Sequence, residues 1–190
     1  MAEIEQELLG RVDRTPLTSG RDRTLQDRAG ALMGLLGDPQ RTFPVIHVTG
    51  TNGKTSTTRL AERLLRELGL TTGRFTSPHL HDIRERIALD GESIAADKFI
   101  SAYSRVLPAA KRVDAQLVAA GEAPLAFFEV LTAVAFVAFA KAGVNAVVVE
   151  VGIGGEHDST NVVNAEVAVV TPVGMDHMPD PGRHTGSHCH

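Results

Sequence analysis

The sequence predicts an α/β fold built on a doubly wound, mostly parallel β-sheet. Two short runs, at 146–151 and 167–171, consist almost wholly of valine and alanine, which is typical of parallel strands covered on both faces. A third apolar run, at 45–49, leads through a glycine-containing loop into a helical pattern. Strands that alternate with helices in this way pair in parallel, and their ligands bind beyond the carboxyl ends of the strands.

Composition is typical of a globular protein. The chain has 190 residues, 43% hydrophobic and 22% charged, so one domain with a buried core is expected. The net charge of −4 argues against nucleic acid or a membrane surface as a partner. A single cysteine, Cys189, excludes an internal disulfide and favours the cytoplasm. The first ten residues lack a signal-peptide pattern, and the apolar run around 130–140 is too short to span a bilayer.

The first half of the chain alternates between helices and strands. We expect a short helix followed by an extended segment within residues 1–24, and a second helix over Leu25–Leu36. After the glycine loop, leucines at positions 60, 64, 65 and 68 form one helical stripe that ends at Gly69. Residues 72–77 then form the expected second strand.

The second half begins with a small β excursion. Residues 84–89 and 92–94 flank the turn residues Asp90-Gly91, which indicates a hairpin. A long helix follows at about 96–119, and we expect Pro108 to kink or split it. The stretch 125–142 is apolar on nearly every side, which predicts a buried helix before the two valine-rich strands.

The segment Gly50-Thr51-Asn52-Gly53-Lys54-Thr55-Ser56 predicts a phosphate-binding loop. Glycines let backbone N–H groups approach phosphate oxygens, the following helix directs its first N–H groups at them, and the lysine adds a positive charge. Thr55 or Ser56 can then bind Mg²⁺. The general nucleotide-binding motif needs a further glycine where this chain has Val48. The alternative is a strand-to-helix turn that merely uses glycine.

Two polar groups follow the valine-rich strands and should reach the same edge of the sheet. Glu150 ends an apolar strand and precedes the glycine-rich segment 152–155. An unpaired buried carboxylate is costly, so we interpret Glu150 as a Mg²⁺ ligand, with a structural salt bridge as the alternative. His177 follows the other strand, where we interpret it as a second metal ligand or a structural histidine.

The phosphate loop resembles the ATP loop of the Mur ligase family, and four further strings narrow the resemblance to folylpolyglutamate synthase and bifunctional dihydrofolate synthase. These strings are Phe75-Thr76-Ser77-Pro78-His79-Leu80, Glu85-Arg86-Ile87, Glu150-Val151-Gly152-Ile153-Gly154-Gly155 and Asp158-Ser159-Thr160-Asn161. They occur in the family's order, and the resemblance runs from about Phe43 to Met178. It implies the central, ATP-binding domain of a Mur-type ligase.

The resemblance implies ATP-dependent ligation with Mg²⁺. A carboxylate of folate or dihydropteroate would be phosphorylated, and the amine of L-glutamate would attack the acyl phosphate. The implied catalytic residues are Lys54, Glu150 and His177. The implied ATP-binding residues are Gly50, Thr51, Asn52, Gly53, Lys54, Thr55 and Ser56; the metal ligands are Thr55, Ser77, Glu150 and His177; the substrate contacts are Ser77, Pro78, His79 and Asp158.

The chain departs from the family pattern in two places. Glu156-His157 stands where the family commonly has arginine and an apolar residue. After Met178 the family continues with a helix bearing an essential lysine and then a glutamate-binding domain, and residues 179–190 replace both. We therefore expect residues 1–178 to be an incomplete ligase domain and 179–190 to be an aberrant or disordered tail.

A truncated chain of this kind should not ligate glutamate by itself, and apolar surface beside the strand at 167–170 should favour self-association. Two other functions stay open from the sequence. One is a catalytically inactive nucleotide-binding fragment, which the missing lysine favours. The other is a different Mur-type amino-acid ligase, which would share the phosphate loop but not the substrate strings.

Overall fold

The computed structural model describes residues 1–12, 25–153 and 155–174. The strands, in chain order, are β1 (Val45–Thr49), β2 (Thr72–Phe75), β3 (Ile87–Leu89), β4 (Glu92–Ser93), β5 (Ala146–Glu150) and β6 (Val167–Val170). The helices are α1 (Ala2–Leu9), α2 (Leu25–Leu36), α3 (Lys54–Glu67), α4 (Ala96–Ala119) and α5 (Phe127–Ala142), with short 3₁₀ turns at Pro39–Arg41 and Ile83–Arg86.

One sheet organises these elements. Its six strands lie in the order β4-β3-β2-β5-β1-β6. The central strands β2, β5, β1 and β6 are parallel, whereas β3 and β4 form the antiparallel hairpin expected around Asp90-Gly91. The predicted α/β fold with a mostly parallel sheet is therefore confirmed.

Alternate residues of β2 show that helices cover both faces of the sheet. A Cβ atom added to Gly73 would lie 2.6 Å from Phe139 Cδ1, so α5 packs directly on the backbone of one face. On the other face, the hydroxyl of Thr72 donates to Glu62 of α3 over 2.9 Å, and Arg74 Nη1 donates to the same carboxylate over 2.6 Å. The doubly wound arrangement follows from this alternation.

The α5 face carries the apolar core. Helix α5 is buried nearly all round, as predicted, and Phe43 packs against Phe136 and Phe139 with ring centroids 6.2 and 6.1 Å apart. A fully buried ion pair fixes the start of this helix, because Arg28 Nε of α2 donates to Glu129 Oε1 over 2.8 Å. Breaking such a pair by removing one partner leaves a buried charge uncompensated, which is strongly destabilising.

Helix α3 packs in a way that its sequence does not suggest. Its buried residues are Thr58 and Glu62, while the predicted leucine stripe faces solvent, with Leu60, Leu64 and Leu68 exposed by 60, 56 and 77%. The reason lies in the sheet face beneath, where the guanidinium of Arg74 needs the carboxylate of Glu62. Satisfying this buried charge sets the rotation of the helix about its axis.

Three features of the elements differ from the sequence-based expectations. Residues 84–86 form a 3₁₀ turn rather than the start of a strand. Helix α4 is not split at Pro108, which is exposed and lies inside the helix, while a kink there stays a prediction. Strand β6 is not covered on both faces, because it is an edge strand paired only with β1 and is largely exposed. The extended segment expected before residue 24 lies outside the described residues.

None of the described helices has the length and hydropathy that a membrane span requires.

Gly73→Ala should destabilise the fold, because the new methyl group would meet the buried ring of Phe139. Overpacking of this kind costs about 1–3 kcal/mol. Gly34→Ala is the matched control, since Gly34 lies exposed in α2 with no atom within 4 Å of the added Cβ, and it should gain about 0.5–1 kcal/mol. Urea unfolding measures both. Equal stability of the two variants would contradict the packing of α5 on β2.

Candidate functional site

Parallel pairing brings the carboxyl ends of β1, β5 and β2 to one edge of the sheet. Val48 pairs with Glu150, and Phe75 pairs with Val149. A cleft of about 340 Å³ opens where these strands end. It is lined by Thr51, Gly53, Lys54, Thr55, Ser56, Ser77, Pro78 and Glu150. Most residues predicted to bind nucleotide and metal are therefore brought together, as the fold class requires.

The loop after β1 depends on its two glycines. Gly50 has φ +128° and Gly53 has φ +83°, values that other residues rarely adopt. A Cβ atom on Gly50 would also lie 2.2 Å from Thr171 Oγ1. The loop is tied to the segment after β6, because the backbone N–H groups of Thr51 and Asn52 donate to Pro172 O over 3.1 and 3.2 Å. The N–H groups of these two residues are thus already used.

The N-terminus of α3, which follows the loop, has backbone N–H groups without an intrahelical partner. The helix begins at Lys54, its N-cap residue is Gly53, and no side chain caps it. Thr57 N is the first amide to bond within the helix, to Gly53 O over 2.9 Å. The four preceding amides, of residues 53–56, have no intrahelical partner and carry the positive end of the helix dipole. This arrangement fits an anion.

Lys54 adds a full charge at the same place. Its Nζ donates to Gly50 O over 2.7 Å and to Thr51 O over 3.4 Å. These two carbonyls hold the ammonium group across the loop, close to the uncapped helix end. A phosphate group bound there would meet both the backbone amides and the lysine.

Glu150 lies beneath the loop, where its carboxylate accepts hydrogen bonds from Thr55 and Ser77. Thr55 Oγ1 donates to both carboxylate oxygens over 2.9 and 3.0 Å, and Ser77 N donates to Oε2 over 3.3 Å. Burial raises the pKa of Glu150, while the bonds from Thr55 and Ser77 and the charge of Lys54 oppose the rise. Within the described residues, hydrogen-bond donors hold the carboxylate, and the salt bridge that the sequence leaves as an alternative is not found there.

The oxygen atoms around Glu150 suit a hard cation. One carboxylate, the Thr55 hydroxyl and the nearby Ser77 are the donor types that Mg²⁺ accepts, and this ion commonly shares them with substrate phosphates and water. Among residues 1–12, 25–153 and 155–174 there is no cluster of three His, Cys, Asp or Glu side chains that would form a complete metal cage. His177, the second predicted metal ligand, lies outside the described residues.

Arg86, which the sequence indicates only as part of the string Glu85-Arg86-Ile87, holds His79 close to the cleft. Arg86 Nε donates to His79 Nδ1 over 2.7 Å, and the guanidinium carbon lies 5.1 Å from the centroid of the Phe127 ring. Burial, and then the charge of Arg86, lower the pKa of His79. Burial also lowers the pKa of Arg86, and the carboxylate of Glu150 opposes this.

Asp158 organises its own loop. It is buried, with 3% exposed. Its Oδ1 accepts from Thr160 N over 2.8 Å and from Thr160 Oγ1 over 2.5 Å, and its Oδ2 accepts from Ile153 N over 3.0 Å. These bonds close the glycine-rich turn after β5. A substrate contact by Asp158 stays a prediction, because every one of these bonds is made within the loop.

His47 is a further member of this network that sequence reasoning missed. Its Nε2 lies 2.8 Å from Thr160 Oγ1. Because the single hydroxyl proton of Thr160 goes to Asp158, the histidine must be the donor in this contact. Burial lowers the pKa of His47, and the charge of Asp158 opposes this. The available signal was a histidine inside the apolar run 45–48.

Asp158→Asn should destabilise the protein by about 1–3 kcal/mol, because an amide offers one acceptor oxygen to donors that need two. Glu156→Gln is the matched control, since this side chain is exposed in the same loop and should change stability little. Thermal unfolding of both variants gives the comparison. An Asn variant as stable as the control would show that the network does not hold the loop.

Known relatives share this architecture. The chain is 49% identical over 154 residues to the dihydrofolate synthase/folylpolyglutamate synthase of Mycobacterium tuberculosis, covering 80% of this chain and 32% of that protein. The solved structure of Mycobacterium tuberculosis folylpolyglutamate synthase complexed with ADP superposes with a TM-score of 0.87 at 43% identity, over 96% of this chain and 39% of that one.

A second solved structure contains AMPPCP together with folate. An FPGS–AMPPCP–folate complex superposes with a TM-score of 0.78 at 37% identity, over 91% of this chain and 41% of that chain. The chain thus spans about a third of the length of the curated relative. No protein-family model matches it.

Proposed function

Because this chain is homologous to the N-terminal portion of folylpolyglutamate and dihydrofolate synthases, we propose that it binds ATP with Mg²⁺ and forms the nucleotide side of a ligase. The reaction joins L-glutamate to a carboxylate of folate or dihydropteroate through an acyl phosphate. The observation that carries the proposal is the uncapped start of α3 beside Lys54, with Thr55 bonded to Glu150.

The chain's own groups have distinct tasks in this proposal. The amides of residues 53–56 and the ammonium of Lys54 hold the β- and γ-phosphates and balance their charge. Gly50, Thr51 and Asn52 shape the loop, since the amides of Thr51 and Asn52 are bound to Pro172. The catalytic contribution is therefore positioning and charge stabilisation rather than covalent chemistry.

Thr55, Ser77 and Glu150 would hold Mg²⁺ beside the phosphates, and His177 is proposed from the family resemblance as a further ligand. A cation held there would supply positive charge that offsets the negative charge developing on the transferred group. Glu150 is well placed for this, because its carboxylate already receives the hydroxyl of Thr55 and the amide of Ser77. Ser77, Pro78, His79 and the Asp158 loop would contact the carboxylate substrate.

The proposal gives this chain only part of the reaction. The match covers only 32% of the relative's length, so the site for L-glutamate is not assigned to any residue here. We propose residues 1–178 as the nucleotide-binding unit, located in the cytoplasm. Exposed apolar residues on β6, Val167 and Val170, support self-association through that edge of the sheet.

Lys54→Ala should weaken binding of Mg-AMPPCP at least tenfold, since it removes a charge-assisted contact to phosphate. The fold should persist, because the ammonium group of Lys54 donates within the described residues to carbonyls of its own loop. Arg63→Ala is the control: this cation lies exposed on α3 in a pair with Glu67. Calorimetric titration compares the three proteins. Unchanged affinity in the Lys54 variant would remove the basis for a phosphate site.

Glu150→Gln should reduce nucleotide affinity in the presence of Mg²⁺ much more than in EDTA. The amide keeps the shape of the side chain but loses the charge that a divalent cation requires. Glu67→Gln, on the exposed face of α3, serves as the control. Titrations with AMPPCP in both buffers give the measurement. Equal losses in the two buffers would mean that Glu150 supports the loop and holds no metal.

A further inference from the structure

Arg86 occupies a position that a structural role does not fully explain. It is the last residue of the 3₁₀ turn Ile83–Arg86, and its carbonyl accepts from Thr76 N over 2.9 Å, which places it at the end of β2 next to Ser77. Its side chain is partly buried and extends over the ring of Phe127 at the start of α5. The positively charged guanidinium of Arg86 is thus held near the sheet edge where the cleft opens.

The contacts of Arg86 fix its guanidinium but leave most of its donors unused. Nε donates to His79 Nδ1, and the ring of Phe127 supports one face of the group. In the described parts of the chain, neither Nη nitrogen has a hydrogen-bond acceptor among the contacts of Arg86. Two parallel N–H groups at the end of a fixed guanidinium match the two oxygens of a carboxylate.

The same contact orients His79. Because Arg86 has no acceptor atom, His79 Nδ1 must be the lone-pair nitrogen, so the neutral ring carries its proton on Nε2. The histidine then offers one more N–H donor beside the arginine. Glu85, the neighbouring acid, does not compete for these donors, since its carboxylate accepts the backbone amides of Leu80, His81 and Asp82.

The carboxylate of Glu150 interacts electrostatically with two cationic side chains, Lys54 at the start of α3 and Arg86. We propose that Arg86 binds the reacting carboxylate of an aromatic acid substrate through its two Nη groups, with His79 as a second donor. This rests on the proposed ligase function and names the residue that recognises the group to be phosphorylated.

A contact between Arg86 and the substrate carboxylate would reduce electrostatic repulsion in the site. A carboxylate approaching bound ATP and Glu150 meets strong like-charge repulsion, and a fixed guanidinium offsets this without reorganising. Arginine suits the task better than lysine, because its planar donors set the direction of the carboxylate as well as its position.

The test uses two probes that differ only in the reacting group, pteroic acid and pteroamide, with Mg-AMPPCP saturating the chain. Wild-type protein should bind the acid at least tenfold more tightly than the amide, as expected for a charge-assisted pair. Arg86→Gln should bring the ratio to about one, while affinity for Mg-AMPPCP stays within about twofold.

Two variants make the result specific. Arg84→Gln is the matched control, because this arginine lies in the same turn but pairs with Asp82, and it should keep the full preference. Arg86→Lys retains the charge without the paired donors and should lose at least threefold of the preference, which also serves if the Gln variant does not fold.

Different results would contradict the role of Arg86 and the folate assignment on which it rests. If wild-type protein binds AMPPCP but neither pteroyl compound, the folate assignment fails and this inference fails with it. If it binds both without preferring the acid, or if Arg86→Gln or Arg86→Lys keeps the full preference, Arg86 does not recognise the carboxylate while the folate assignment stands. A loss of AMPPCP affinity in Arg86→Gln would assign the arginine to nucleotide instead, and would also overturn the inference.

Discussion

The parallel register of β1, β5 and β2 determines where the polar groups of the cleft lie. Val48 is opposite Glu150, and Arg74 is opposite Val148, so Glu150 shares the sheet face on which α3 packs. Its carboxylate therefore points beneath the start of α3 and meets Thr55. A slip of one residue would turn Glu150 into the apolar core against α5. The site exists because this register is fixed.

The two faces of the sheet contribute differently to that constraint. On the α5 side, buried aromatic and aliphatic side chains supply the hydrophobic stabilisation. On the α3 side, a buried ion pair between Glu62 and Arg74 fixes the helix with little apolar contact. Charged pairs of this kind add little net stability but specify one arrangement. We interpret the polar α3 face as the part that positions the phosphate-binding helix end.

Much of this was predictable from the sequence because the signals are local. The string from Gly50 to Ser56 and the valine run ending at Glu150 place both groups at strand ends, and parallel strands share that edge. Arg86 and His47 could not be assigned in this way. Their roles come from partners on other elements, His79 with Phe127 and Thr160 with Asp158, and nothing in the local pattern indicates those contacts.

The leucine stripe of α3 and the edge strand β6 show a related limit. An apolar stripe predicts a buried face only when the surface beneath is apolar, and here Arg74 and Thr72 require Glu62 instead. A valine-rich strand predicts coverage on both faces, whereas Val167 and Val170 are exposed at the edge of the sheet. In both cases the surrounding tertiary structure, and not the local sequence pattern, determines which side chains are buried.

The most direct test of the central claim is a crystal structure of this chain with Mg-AMPPCP. The account predicts β- and γ-phosphates against the backbone amides of residues 53–56, with Lys54 beside them and the cation in contact with Thr55 and Glu150. Nucleotide bound away from the start of α3, or Glu150 with its bonds to Thr55 and Ser77 intact and no cation beside it, would contradict the account.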